Sequence, residues 1–354
     1  MKPLNERANK VAFPKDCIDP DSSPESLSEM AEKVVSETAE RIRKARRQDR
    51  PVMLTFGAHS IKNGLGLLLS RLTEEGWVTH LATNGAGIIH DWEIAFQGRT
   101  SEDVKGGVER GEFGNWQETG LYINLAIAVG AWEGLGYGAS VGSLIENEGL
   151  SIPEESELLQ VVDNTDTENV EKCAAAFDLL YIIRLLGIPS GWLPVAHPFK
   201  EYSLQRNAYK QDVPFTGHPM IGHDIIYNHP ANCGGAIGRA AERDFLTFAE
   251  SVSRLTDGVY LSVGSAVMSP MVFEKSMSMA QNLALQSGKP ISGHFISVVD
   301  LAESRWDWSK GEPPEDTPDY YIRYCKSFSR MGGQLRYASA DNRDFLLALY
   351  AILR

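Results

Sequence analysis

The stretch "WVTHLATNGAGIIHDWEIAF", residues 77–96, decides the fold class. An apolar, strand-like run, "WVTHLAT", breaks into Asn84-Gly85-Ala86-Gly87 and becomes a helix-like pattern from about Ile88. Small residues at a strand-to-helix junction let backbone N–H groups approach something closely, often a phosphate; a tight turn needs glycine just as well. The same alternation surrounds this stretch. Upstream, "PVMLTFG" (51–57) reads as a short buried strand and "IKNGLGLLLSRLTEEG" (61–76) as a helix. Downstream, helical patterns cover about 119–134 and 168–186, and the Pro-, His- and Gly-rich middle (187–235) reads as loop with a short strand near "HDIIYNHP". Alternation resumes with helix 237–255, strand 258–264, helix 270–287, strand 293–299, a helix ending near Arg330, strand 334–339 and helix 342–353. Repeated strand–helix units predict an α/β fold, a Rossmann-like parallel sheet with helices on both faces. Residues 1–48 are expected to form an arm and an amphipathic helix, and 49–354 a single domain.

Composition narrows the function classes. The chain has 354 residues, 43% of them hydrophobic, with no apolar run near the length of a membrane span. The start, "MKPLNERANKVAFPKD", has no apolar signal-like core, so a cytoplasmic protein is expected. Four cysteines (Cys17, Cys173, Cys233, Cys325) stand far apart and read as reduced thiols. A formal charge of −13 disfavours nucleic acid and anionic membranes as partners.

In parallel sheets ligands bind beyond the carboxyl ends of the strands. Four such ends carry small or polar residues: Gly57-Ala58-His59-Ser60, Asn84-Gly85-Ala86-Gly87, Gly264-Ser265-Ala266 and Ala338-Ser339-Ala340-Asp341. Gly234 and Gly235 add a fifth spot ahead of a helix. Together they point to a nucleotide or dinucleotide site, although the GxGxxG fingerprint is absent.

These residues resemble a family. "FGAHSIKNGLGLLLSRLTEEGWVTHLATNGAGIIHDWEIAF" is similar to the NAD-binding core of deoxyhypusine synthase, where T-S-N-L-x-S-S-G leads through a helix and strand to T-T-A-G-G-x-E-E-D. "HPANCGGAIGRAAERDF" looks like the family's P-A-x-T-D-G-S-x-G-D, and "VGSAVMSPMVFEKSM" like its G-G-G-V-x-K-H-H. "YIRYCKSFSRMGGQLRYASADNRDFLLALYAIL" resembles its terminal S-W-G-K…Y-x-D-A-T unit. The resemblance runs in order from about residue 50. It implies NAD as cofactor, held by His59, Ser60, Asn63, Asn84, Gly85, Ala86, Gly87, His90, Asp91, Gly234, Gly235, Gly264, Ser265, Ser297, Glu303, Ala340 and Asp341. It further implies oxidation of an amine or polyamine and aminoalkyl transfer through an imine on a lysine, here Lys326 in "YCKS". Partial desolvation is expected to lower the pKa of that lysine and free its amine for attack. Tyr324 takes the place of an aromatic beside the substrate, and Arg239 stands where the family has an acid. The family's K-H-H becomes Met268-Ser269-Pro270, and only the last acid of E-E-D persists, as Asp91. The glycine scaffold for a dinucleotide is therefore kept better than the polyamine chemistry. The acceptor is then a small amine or a protein lysine, and the alternatives are a homospermidine synthase-like polyamine transferase and a nucleotide-binding module without turnover. Family members assemble as homo-oligomers, so a dimer or tetramer is expected, with part of loop 303–319 near a second copy.

Two other groups stand out. His197, His218, His223, Asp224 and His229 fall in one region, but their spacing and prolines favour hydrogen-bonded loop histidines over a metal site. Trp306, Asp307 and Trp308 beside Glu312, Glu315 and Asp316 suit either a cationic ligand or a packed loop.

Overall fold

The computed structural model describes all 354 residues, Met1–Arg354. In chain order the strands are β1 (Asn9–Ala12), β2 (Val52–Phe56), β3 (His80–Asn84), β4 (Arg99–Glu102), β5 (Gly149–Ile152), β6 (Gly191–Pro194), β7 (Phe215–His218), β8 (Val259–Val263), β9 (Phe295–Asp300) and β10 (Gln334–Ser339). The first seven helices are α1 (Glu29–Arg47), α2 (Ala58–Lys62), α3 (Gly66–Glu74), α4 (Gly85–Gln97), α5 (Val104–Glu109), α6 (Gln117–Glu133) and α7 (Tyr137–Asn147). Then come α8 (Glu155–Asp163), α9 (Val170–Leu186), α10 (Leu204–Lys210), α11 (Gly234–Ser253), α12 (Met268–Gln286), α13 (Arg323–Ser329) and α14 (Asn342–Leu353).

Contacts gather the chain into two compact units, Met1–Asp16 with Ile88–Asp244 and Cys17–Gly87 with Phe245–Arg354. The expected division near residue 48 is not where the chain divides. The first strand belongs to one unit, and α1 packs on the sheet of the other. No helix is long and apolar enough to cross a membrane.

In the sheet unit, five strands run in the order β10-β9-β8-β2-β3, and every pair among them is parallel. Their sequences explain the burial. "VMLTF" of β2 and "VYLSV" of β8 are buried at every position, as expected of strands covered on both faces. Alternate residues of β9 show the two covers. Ile296 and Val298 join a core with Phe273 and Met277 of α12 and Phe328 of α13, whereas Ser297 between them accepts a hydrogen bond from Thr38 of α1 at 3.0 Å. Helix α1 starts where Ser28 accepts the Ala31 N–H, carries Glu29 and Glu32 in its first turn, and ends in Lys44, Arg46 and Arg47. The expected helix over 61–76 is two helices, because Gly64 turns into the left-handed region (φ +87°) and closes α2.

The helical unit packs α6 against α7 and α9, with β1–β4 and β5–β6 as two antiparallel ribbons. The strand expected near "HDIIYNHP" is absent. Ile225–Asn228 form a 3₁₀ turn whose Ile226 carbonyl accepts from the Asn124 amide at 2.9 Å, and the strand lies earlier, at β7. A side chain, rather than a neighbouring strand, takes up that backbone group.

Candidate functional site

The sheet order places β3 on one side of β2 and β8 on the other, so the direction of strand addition reverses between β2 and β8. At such a switch point the loops part, and ligands of open parallel sheets bind there. Gly57 follows β2 and donates to the Val263 carbonyl at 3.1 Å; Gly264 follows β8 and donates to the Val299 carbonyl at 2.9 Å. A Cβ on Gly57 would stand 2.1 Å from the Gly264 carbonyl oxygen, and one on Gly264 (φ +57°) would stand 2.2 Å from the Asn342 amide nitrogen. Only glycine allows these main chains to meet.

A cavity of about 210 Å³ opens there, lined by His59, Asn63, Gly264, Asp300, Asp341 and Asn342, with Arg343 at its side. Burial, helped by Lys62, holds the His59 imidazole below its ordinary pKa, so the ring is neutral at pH 7. Arg343 is turned to Glu25 and Asp344 at 2.9 and 3.1 Å. The Asp341 carboxylate accepts the Arg343 N–H at 2.8 Å and caps α14, which occupies the helix end that a phosphate would otherwise meet. The buried Asn342 Oδ1 and Ser60 Oγ have no partner in the protein. Two carboxylates, two amides and a neutral imidazole around a small space suit hydroxyl groups and an amine or amide edge better than an anion.

The structure thus brings His59, Asn63, Gly264 and Asp341 together, with Ser60 and Ala340 in the same connections. It adds Asp300, Asn342 and Arg343, which the sequence reading passed over. Asp300 could have been found as the polar last residue of an apolar strand, and Asn342 as the residue after a helix-capping aspartate.

The other expected contacts lie elsewhere. Asn84-Gly85-Ala86-Gly87 form no loop, because α4 begins at Gly85 directly after β3 and the Asn84 Oδ1 accepts the Gly87 N–H at 2.9 Å. Ser265 Oγ accepts the Ser269 N–H at 3.2 Å and steadies the start of α12. Ser297 is inside the sheet against α1, and Glu303 is exposed in the loop after β9. In the helical unit, Asp91 is buried and accepts from the Ser203 hydroxyl, the Leu204 and Gln205 N–H groups and the Gln205 amide, at 2.6 to 3.1 Å. These four donors make it the anchor of α10. His90 bonds Thr100 at 2.7 Å, and Thr100 in turn donates to Glu93, the buried partner of Arg7. Gly234 and Gly235 are exposed at the start of α11, where Arg239 pairs with Asp178 at 3.1 Å.

Lys326 corrects an expectation. Its ammonium lies 2.7 Å from Glu312 and 3.4 Å above the Tyr320 ring. The Glu312 hydrogen bond, with that of Tyr320, raises its pKa rather than lowering it, so the amine is held in its charged, non-nucleophilic form. Tyr324 faces Tyr337, hydroxyl to hydroxyl at 3.2 Å. Among the histidines, His218 pairs with Thr216 at 2.9 Å and His229 accepts from Ala231 at 3.0 Å. His197 packs edge-on against Trp92, its pKa pushed down by burial to about 4. No group of three or more His, Cys, Asp or Glu side chains converges to hold a metal ion. Trp306 and Trp308 donate to Gly311 and Ser304 of their own loop, at 2.9 and 2.8 Å.

No family model and no curated protein matches this chain. Among solved structures, AgrE in ternary complex with ornithine and NAD+ aligns over 93% of this chain and 34% of its own, at 17% identity and a TM-score of 0.46. ArgZ, an arginine dihydrolase from the ornithine–ammonia cycle in cyanobacteria, aligns over 91% and 33%, at 15% identity and 0.41. A candidate deoxyhypusine synthase from Entamoeba histolytica aligns over 92% and 88%, at 10% identity and 0.43. The chain spans about a third of the length of the AgrE and ArgZ structures it matches. The deoxyhypusine synthase group, which the sequence resembles, is thus among the structures similar to this chain. The fold described above rests on the strand order and register of the chain itself.

Proposed function

We propose that the sheet unit binds NAD at the switch point between β2 and β8, and that the protein is an NAD-dependent enzyme acting on an amine. The carrying observation is the Gly57–Gly264 close approach beside a cavity lined by His59, Asn63, Asp300, Asp341 and Asn342. The cavity is smaller than the roughly 300 Å³ at the low end for whole-ligand sites, so it takes one nucleoside end of the dinucleotide. Asp300 would accept from its sugar hydroxyls or base amine and the Asn342 amide N–H would donate to it, while the glycine pair lets the rest pass close to the backbone. Bound there, NAD would supply a hydride acceptor for the carbon beside the substrate nitrogen, with the nitrogen's proton released to solvent as the imine forms.

The transfer half of the resemblance has less support. A lysine paired with Glu312 must lose that partner and a proton before it can attack an imine. This pairing favours, as the second reading, a nucleotide-binding module that does not pass on an aminoalkyl group. A second copy of the chain is the proposed partner, checked by light scattering.

The experiment is calorimetric titration with NAD+, NADH and ATP, followed by incubation with NAD+ and spermidine, putrescine or ornithine while NADH fluorescence is followed. Saturable NAD+ binding that is weakened in Asn342→Ala is expected. Preference for ATP would refute the cofactor. Absence of NADH with every amine would leave the binding-module reading. Borohydride trapping on Lys326 would restore the transfer mechanism.

A further inference from the structure

Helix α9 of the helical unit is apolar on its inner and its outer side. Cys173, Leu179 and Ile183 are buried, and the helix packs on α6 and α8. Val170, Ala174, Phe177, Tyr181 and Leu185 stand four, three, four and four residues apart, a spacing that keeps them on one face. That face is open. Phe177 and Tyr181 are 55% and 58% exposed, Val170 and Leu185 are exposed as well, and Ala174 is half-buried. A helix that is apolar all round is ordinarily covered all round, and the chain itself leaves this side bare.

The charges along the edges of the stripe already have partners. Glu171 lies 3.6 Å from Arg243, Asp178 3.1 Å from Arg239 and Arg184 2.8 Å from Glu155. Lys172 is turned onto the Trp132 ring, 3.5 Å from its centre. The stripe can therefore lose its water without stranding a charge. It holds out no free ion to a nucleic acid or a charged peptide.

Two features select a second copy of this chain as the occupant. The stripe is symmetric about the peptide between Phe177 and Asp178: position 170 mirrors 185, and 174 mirrors 181. Two copies of α9 crossing antiparallel on a two-fold axis there would set Val170 against the partner's Leu185. They would also set Ala174 against the partner's Tyr181, small against large, and each contact would occur twice. The second feature is area. With about 200 Å² for an aromatic side chain and about half that for Val or Leu, the open stripe amounts to about 330 Å² per copy and about 650 Å² per pair. Apolar atoms make up roughly 60% of an interface, so the whole contact would bury about 1,100 Å², above the roughly 1,000 Å² that a specific interface needs.

We propose that the Val170–Leu185 face of α9 docks on the same face of a second copy of the chain. The inference rests on the reading of a second copy as partner and gives that partner a surface. It does not depend on the cofactor, because none of these residues lines the switch-point cavity.

The test is sedimentation equilibrium of the whole protein at micromolar concentration. The unaltered protein is expected at two or four times the mass of its chain, and Tyr181→Glu at half the unaltered mass with the same circular dichroism. A second measurement stands even if that variant fails to fold. Ala174→Cys combined with Tyr181→Cys should form a disulfide between chains on oxidation, seen as a doubled mass on a non-reducing gel, and Ala174→Cys alone should not. An unaltered protein that is monomeric overturns this inference and the proposed partner together. An oligomer that keeps its mass in Tyr181→Glu and gives no cross-link overturns the α9 face alone, and the second copy then binds elsewhere.

Discussion

At the end of β3, Asn84 turns back on the helix it starts. Its Oδ1 takes the Gly87 N–H, and the Thr83 side chain, bonded to the Phe56 carbonyl at 2.9 Å, packs where a Cβ on Gly87 would stand. At the ends of β2 and β8, by contrast, Gly57 and Gly264 bring two main chains together beside an asparagine oxygen that accepts from nothing in the protein. The two ends share an edge of the sheet and a glycine-rich composition. They differ in whether their polar atoms are already answered. Asp91 and Glu93 of the helical unit belong with the answered kind. Glycine marks where backbones come close; hydrogen-bond partners tell what they come close to.

If this contrast holds, answered groups govern stability and unanswered ones govern ligand affinity. The largest expected effect is on the answered side. Arg7 donates twice to Glu93, at 2.7 and 2.6 Å, and both side chains are buried. Arg7→Met should cost about 3–5 kcal/mol at pH 7, because it strands a buried carboxylate. Burial raises the Glu93 pKa, but the charge and hydrogen bonds of Arg7 more than offset this, and the net shift is downward from 4.5. The stabilisation is therefore present above that pH and lost as pH falls through the lower folded value. Urea midpoints of the two proteins should converge on acidification. A pH-independent gap would take the carboxylate out of the explanation.

Next comes Gly57→Ala, whose new Cβ would meet a backbone oxygen that cannot rotate away. A loss of about 3 kcal/mol is expected, together with weaker NAD binding. Unchanged thermal unfolding would mean that the two strand ends are not held in contact. Asn342→Ala should leave the melting temperature alone and weaken NAD about tenfold, the value of one hydrogen bond to the ligand. An equal drop in stability would make Asn342 one of the answered groups.

The smallest effect sharpens the contrast most. Asn84→Ala removes a helix cap and should cost about 1 kcal/mol in urea unfolding, with NAD affinity unchanged by calorimetry. The opposite result, affinity lost and stability kept, would return the dinucleotide to the Asn84–Gly87 turn.

The sequence carried the sheet unit well. The last strand and helix, 334–339 and 342–353, lie where periodicity places them, and β2, β8 and β9 are shifted by only a residue or two. Continuous apolar runs bounded by glycine leave little choice there. The helical unit was harder to read. β1–β4 and β5–β6 are short ribbons with mixed burial, and a run of four residues holds no period to detect. For the site, small residues located the strand ends but could not rank them. Asp91 and Asn84 have polar side chains suited to a ligand, and their actual donors come from folding: α10 for Asp91 and the adjoining backbone for Asn84. The lowered pKa expected of Lys326 missed for the same reason, since its partner Glu312 comes from the loop 303–319, away from it in sequence.

The order in which the strands are made has a consequence for the newborn chain. Strand β2 pairs with β8 from Val52 to Val259, and all of Ile88–Asp244 is synthesised between them. Until β8 leaves the ribosome, β2 carries one row of unanswered N–H and C=O groups, an edge open to any other extended chain. At about 5–20 residues per second this interval lasts on the order of ten seconds. Pairing across so long a loop adds an entropic cost that grows with the logarithm of its length, and it slows folding. Early collapse of the intervening segment would shorten that loop. Protection of the β2 edge during synthesis therefore falls to the intervening segment itself or to a chaperone.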